Sequence, residues 1–263
     1  MQPSWVIVAS LLLLVSAGTG SDLDEEPAPR IQPRIFKGKE ITNGALGGMG
    51  VQLFYKTKLV CTGTLITERH FITAGHCFNN MTLSEFHVIG GQTREFDRHK
   101  KLFHKNRLVG LRIHPDFDKE SFIGDIAVAK IKYPLRSKYI GYAQVCKSPL
   151  YPSDVLTVAG WGSSGRTSDK STLRSMRVAI VDKGVCERQL KLSLPENVIC
   201  AGGYNSRTLC AGDSGGPLMF RQQVCGVSTW TYKCGNNAKP DIFMSVRHYS
   251  KFVIKAVRDL GFK

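Results

Sequence analysis

The chain predicts an all-β fold closed by one C-terminal helix, and two patterns carry that prediction. Short apolar runs recur between Gly, Asn, Ser and Pro: Val51-Gln52-Leu53-Phe54, Gly63-Thr64-Leu65-Ile66, Phe86-His87-Val88-Ile89, Asp125-Ile126-Ala127-Val128, Leu156-Thr157-Val158-Ala159 and Val224-Cys225-Gly226-Val227. Such runs, punctuated by turn formers, read as strands. Near the end, Tyr249, Phe252, Val253, Ala256, Val257 and Leu260 repeat at helical spacing and call for one amphipathic helix.

Taken in order, residues 1–20 carry an apolar core from Trp5 to Val15, followed by small residues up to Gly20. This reads as a secretory signal, although no basic residue precedes the core. The core is too short to span a bilayer comfortably, and no stop-transfer pattern follows it. No later stretch suits a membrane helix, so a soluble, secreted, extracellular protein is expected. Residues 21–34 are acidic at first (Asp22, Asp24, Glu25, Glu26), then proline-spaced, and end Pro33-Arg34-Ile35. That composition suits an exposed peptide open to cleavage.

Residues 35–263 make 229 positions, enough for one sizeable domain or two fused barrels. The net charge is +15, and removing the four acids and two arginines of residues 1–34 raises it to +17. A surface so cationic favours glycosaminoglycans, sulfated or sialylated surfaces, or acidic proteins. The densest basic cluster runs from Arg98 to Arg107. A charge run is usually a solvated face; the functional reading is a polyanion docking surface. Eight cysteines behind a signal imply four disulfides in an oxidising compartment, with connectivity open at this level. No cysteine pair has close metal-ligand spacing with nearby histidines, so neither a zinc site nor a cofactor is expected.

Chemistry enters at Gly212-Asp213-Ser214-Gly215-Gly216-Pro217, where small residues leave one hydroxyl accessible. A serine hydroxyl needs a base to take its proton and an acid behind that base. Thr73-Ala74-Gly75-His76-Cys77 and Gly124-Asp125-Ile126-Ala127 supply them, in the order His, Asp, Ser, one of the known orders of the hydrolytic triad. Singly, these are a turn, a core histidine and a strand-end cap. Together they resemble the trypsin-like serine endopeptidases of the chymotrypsin fold, over Ile35 to the C-terminus.

The resemblance implies two six-stranded antiparallel β-barrels meeting near residue 146, the first about 35–145 and the second about 146–263, with the active site between them. It implies Ser214 as nucleophile, His76 as general base then acid, Asp125 as the buried acceptor, and the N–H groups of Gly212 and Ser214 as the oxyanion hole. It makes residues 21–34 an activation peptide cut after Arg34, so that the new amino group of Ile35 pairs with Asp213. Ile35 precedes Cys61 by 26 positions, the family's spacing, whereas cleavage after Arg30 would not fit it. The implied disulfides are Cys61–Cys77, Cys186–Cys200 and Cys210–Cys234. Cys146 and Cys225 remain as a fourth pair outside the commonest positions. The basic cluster falls in a loop where some relatives bind calcium through acids, and its cations argue against that ion.

Departures from the family bear on specificity. Thr208 stands at the pocket base where trypsins carry an aspartate; Leu209 adds an apolar wall, Thr231 narrows the entrance, and Asp241 replaces a glycine. An elastase-like pocket for small aliphatic residues is the leading reading. The alternative is that Asp241 pairs with a substrate Lys or Arg, because an unpaired buried carboxylate is costly. A pocket that rejects Arg requires a separate trypsin-like activating protease. Thr229 replaces a serine that supports the buried aspartate, Trp230 lines the cleft, and Gly75 replaces an alanine. Asn80-Met81-Thr82 is a glycosylation sequon. Protein substrates, inhibitors such as serpins, and a monomeric state are expected, with no specific nucleic acid partner. The rival classes are a catalytically idle binding module and a cationic antimicrobial protein. No triad member or oxyanion glycine is replaced, which favours the enzyme.

Overall fold

The computed structural model describes residues 35, 38–94, 106–118, 120–162, 172–202, 208–234 and 239–262. The signal and activation-peptide readings, and the basic cluster apart from Asn106 and Arg107, lie outside these residues.

Six strands close the first barrel: β1 (Gly50–Tyr55), β2 (Lys58–Leu65), β3 (His70–Thr73), β4 (Phe86–Gly90), β5 (Asn106–Ile113) and β6 (Ala127–Ile131). Their order around the barrel is β1-β2-β3-β6-β5-β4. The second barrel comprises β7 (Val155–Gly160), β8 (Arg174–Val181), β9 (Val198–Gly202), β10 (Pro217–Phe220), β11 (Gln223–Trp230) and β12 (Pro240–Ser245). It repeats the same path, β7-β8-β9-β12-β11-β10, and closes through β10 against β7. All pairings within the two barrels are antiparallel. Closure pairs each barrel strand with a neighbour on both sides.

The apolar runs read from the sequence form the barrel interiors. Val51, Leu53, Leu65, Phe71, Val88 and Val128 are buried in the first; Leu156, Val158, Leu218, Val227 and Phe243 in the second. Four residues in a row, His70 to Thr73, are buried in β3.

The segments flanking the barrels cross over. Lys39 and Glu40 form a short strand on β8 of the second barrel, in register with Ser175 and Arg174. The C-terminal helix α2 (Ser250–Leu260) instead packs on β5 and β6 of the first. Lys130 Nζ caps it by donating to Leu260 O at 2.7 Å, which also suits a cation at the negative end of the helix. Val253, Ala256 and Val257 are its buried face, as the sequence periodicity expects.

A second helix, α1 (Lys183–Leu190), was not legible in the pattern. It buries only Cys186 and Leu190, too little for an apolar stripe. Local chemistry makes it: Asp182 caps the first turn by accepting from Val185 N–H at 3.1 Å, and the Cys186–Cys200 bond pins it to β9.

Four disulfides are formed: Cys61–Cys77, Cys146–Cys225, Cys186–Cys200 and Cys210–Cys234. The second joins the inter-barrel connection to β11 beside a parallel two-residue bridge, Gln144–Val145 against Gln223–Val224.

Candidate active site

The site forms where the two barrels touch, and Thr62 on β2 is the contact point. Its N–H donates to Ser214 O at 2.9 Å and its hydroxyl to Gly212 O at 3.1 Å, while Trp161 N–H donates to that hydroxyl at 3.3 Å. Gly215 packs into the same seam at φ +79°; a Cβ there would lie 2.0 Å from Thr73 Oγ1 and 2.3 Å from Thr62 O. Only glycine combines this backbone angle with this closeness. The small residues around Ser214 are therefore what allow the second barrel to dock on the first.

His76 sits in a 3-10 turn, Gly75–Phe78, that follows β3 and is held by the Cys61–Cys77 bond. Asp125 lies just before β6, which pairs with β3, so neighbouring strands deliver base and acid to one place. The acid holds the base twice. Asp125 Oδ1 accepts from His76 N–H at 2.8 Å, and Oδ2 meets His76 Nδ1 at 2.7 Å. An ionised carboxylate only accepts, so Nδ1 carries the proton and Nε2 is left to act as a base. Asp125 is buried and His76 half-buried. Gly75 leaves room here: a Cβ would be 3.1 Å from Ile113 Cγ2 and 3.3 Å from Asp125 Oδ1.

Ser214 is half-buried, between Gly212 at φ +93° and Gly215. No hydrogen bond joins its Oγ to His76. The N–H groups of Gly212 and Ser214 have no acceptor among the described residues. Two unpaired amides beside a nucleophile are the donor arrangement that an oxyanion requires.

Asp213 is fully buried. Its Oδ1 accepts from Gly162 N–H at 2.8 Å and its Oδ2 from Cys210 N–H at 2.9 Å. Burial pushes its carboxyl up to about 7, against the pull of those two donors, and no cation among the described residues pairs with it. Ile35 is likewise buried in the core.

The expected specificity residues gather beside this turn. Thr208, Leu209 and Asp241 are buried and Thr231 is half-buried. Asp241 Oδ2 accepts from Leu209 N–H at 3.1 Å, whereas Oδ1 and the Thr231 hydroxyl have no well-formed hydrogen bond. Burial pushes Asp241 up to about 7, opposed by the nearby Thr231 hydroxyl and the Leu209 N–H and reinforced by the charge of Asp213. Trp230 is half-buried, with Phe122 edge-on to it at 5.8 Å and Tyr232 at 6.3 Å. The Thr229 hydroxyl donates to Ile242 O at 3.1 Å rather than to Asp125, so its expected support of the aspartate is not formed.

Among the described residues, one group has metal-ligand proximity, Cys61, His76 and Cys77, and its two sulfurs are joined in a disulfide. Asn80 is exposed, in a turn at φ +54°. No described helix is long and apolar enough to cross a membrane. Sequence reasoning missed Thr62 and, as argued below, Asn197 and Tyr249; no local pattern marks a residue that acts across the barrel seam.

Twin closed six-stranded antiparallel barrels, with a His–Asp pair and a glycine-flanked serine near the seam between them, fit a serine endopeptidase of the chymotrypsin fold. A family model described as Trypsin matches residues 35–253, and the chain belongs to that family. It is 30% identical to Seminase of Drosophila melanogaster over 241 residues, covering 88% of this chain and 85% of that protein. It is 27% identical to Trypsin iota of the same species, covering 95% and 96%. Among solved structures, neuropsin, a serine protease expressed in the limbic system of mouse brain, superposes with a TM-score of 0.73. That likeness, at 23% identity over 84% of this chain and 99% of neuropsin, bears on the fold alone.

Proposed function

We propose that the chain is a secreted zymogen whose cleavage after Arg34 yields an endopeptidase acting through Ser214, His76 and Asp125. The observation that carries this is the doubly held His76–Asp125 pair beside a serine flanked by two unpaired amides. Ser214 Oγ attacks the scissile carbonyl and gives its proton to His76 Nε2, while Gly212 and Ser214 N–H receive the oxyanion. Collapse expels the amine, which takes the proton from His76. Water then hydrolyses the acyl-enzyme by the same proton path. Asp213 supports the zymogen half of the proposal: a fully buried carboxylate with no cation among the described residues suits the ammonium that cleavage creates at Ile35. Cleaving purified protein with a trypsin-like protease and adding a fluorophosphonate probe tests both halves. Labelling at Ser214 only after cleavage is expected; a cleaved, folded protein that takes no label would favour the idle binding module.

Small aliphatic residues before the scissile bond are the specificity this geometry supports best. Thr231 and Asp241 approach each other in the position of the pocket, Leu209 walls it, and Asp241 has no exposed surface. One observation favours the second reading: Asp241 Oδ1 keeps an unused acceptor that a substrate Lys or Arg would fill. A peptide panel varied at that residue decides, since turnover after Lys or Arg with none after Ala or Val would overturn the aliphatic reading. On the aliphatic reading the zymogen does not process itself, and serpin-like inhibitors presenting a small residue fit the pocket.

For a polyanion partner, the described cations on α2 support a docking surface. Lys251, Lys255 and Arg258 are exposed on one helical face, and Arg112 of β5 joins the last two around Asp259. A sulfated polysaccharide would bridge this row. Reversing these three helix cations to Glu should lower the salt needed for elution from heparin more than the equal charge change of Lys58→Glu, Lys147→Glu and Arg188→Glu. Equal elution would assign retention to net charge alone.

A further inference from the structure

The turn that carries the catalytic acid is gripped from the other half of the chain. Gly124, immediately before Asp125, donates its N–H to Tyr249 Oη at 2.8 Å in a buried contact spanning 125 positions. Its carbonyl accepts from Ile126 N–H at 2.7 Å, so the peptide leading into Asp125 is held on both sides. Gly124 has φ +62°, and a Cβ would lie 2.9 Å from Phe117 N, so the turn has no room to drift. Two residues earlier, Phe122 O accepts from Asn197 Nδ2 at 2.7 Å. Asn197 and Tyr249 are both 5% exposed, and their side chains also interact with each other. The tyrosine ring is fixed in turn by His114 and His248, each edge-on at 4.8 Å.

We propose that Tyr249 and Asn197 are positioning residues for Asp125: a hydrogen-bonded clamp, carried by the second barrel and the start of α2, that sets where the triad carboxylate meets His76. The proposal rests on the triad reading above. Its physical basis is the sensitivity of catalysis to placement, where a shift of about 1 Å can cost on the order of 100-fold in rate. The Asp118–Ile123 bridge also holds this turn, but from within the first barrel, and the residue before Asp125 is a glycine with no side chain to anchor. The clamp also gives the crossover of α2 onto the first barrel a consequence for chemistry.

Tyr249→Phe tests the clamp, because it keeps the ring between the two histidines and removes the hydroxyl, and with it the contacts to Gly124 and Asn197. In the activated enzyme we expect kcat to fall about 10-fold with KM unchanged. We also expect the acid limb of the pH–rate profile to move to lower pH, since a displaced carboxylate stabilises the protonated base less. Asn197→Ala, acting on the same turn through a different bond, should move both readouts in the same direction by a smaller factor. Wild-type kcat and acid limb in both variants, with or without a lower Tm, would overturn the proposal and leave the contact purely structural. Ser214→Ala separates this from failure of the triad reading: if that variant still turned over substrate, the triad itself would be wrong.

Discussion

Asp213 and Asp241 accept hydrogen bonds from consecutive backbone amides: Cys210 N–H reaches Asp213 Oδ2 at 2.9 Å, and Leu209 N–H reaches Asp241 Oδ2 at 3.1 Å. Two fully buried acids thus share a dipeptide. Both carboxyls are raised to about 7, chiefly by burial.

The uncleaved protein should therefore lose stability as pH rises from about 4 to 7. Each acid binds its proton more tightly folded than unfolded, so the folded state holds more protons across that window. The slope is at most about 1.4 kcal/mol per pH unit for each group. Thermal unfolding from pH 4 to 8 measures it, and Asp213→Asn should flatten the curve. After cleavage the Ile35 ammonium would compensate Asp213, and the decline should shrink in the activated enzyme.

The same ionisation tests the pocket. If Asp241 anchors Lys or Arg, kcat/KM for a Lys peptide should climb through pH 7 beyond the rise seen with Ala peptides, and Asp241→Asn should remove the difference. On the aliphatic reading the two peptides follow one profile and Asp241→Asn leaves it unchanged.

Asp125→Asn should preserve the fold and lower kcat by about 10,000-fold at neutral pH, because an amide can donate to Nδ1 and impose the wrong tautomer. Probe labelling rates across pH provide the measurement.

Gly215→Ala should destabilise the protein by about 3–5 kcal/mol, since the methyl meets Thr73 Oγ1 and Thr62 O in a left-handed backbone. Denaturant midpoints at an unchanged m-value would show it.

Removing the Cys146–Cys225 bond by Cys146→Ser and Cys225→Ser should cost about 2–5 kcal/mol, as expected for a crosslink spanning 79 positions. Because neither cysteine belongs to the proposed triad or pocket, kcat at low temperature should stay near wild type.

The strands and the last helix were legible because their signals are local. The apolar runs Val51–Phe54 and Leu156–Ala159, bounded by turn formers, and the spacing of Val253, Ala256 and Val257 depend on neighbours along the chain. The helix α1 escaped because a cap and a disulfide form it rather than an apolar stripe. The expected role of Thr229 was misplaced for a related reason: a hydroxyl takes the nearest acceptor the fold offers, here Ile242 O.

By itself, the sequence determined the chemistry available: a serine among glycines, a histidine beside a cysteine, and an acid at a strand start. Tertiary structure alone decided how those groups meet. It set the two bonds from His76 to Asp125, the seam at Thr62, the crossing of the flanking segments between barrels, and the grip of Tyr249 on Gly124. The division has a physical cause. Residue type and short-range pattern state what a group can donate, accept or bury, whereas contacts across 49 or 125 positions exist only once strand register and close packing bring the groups to within hydrogen-bond reach.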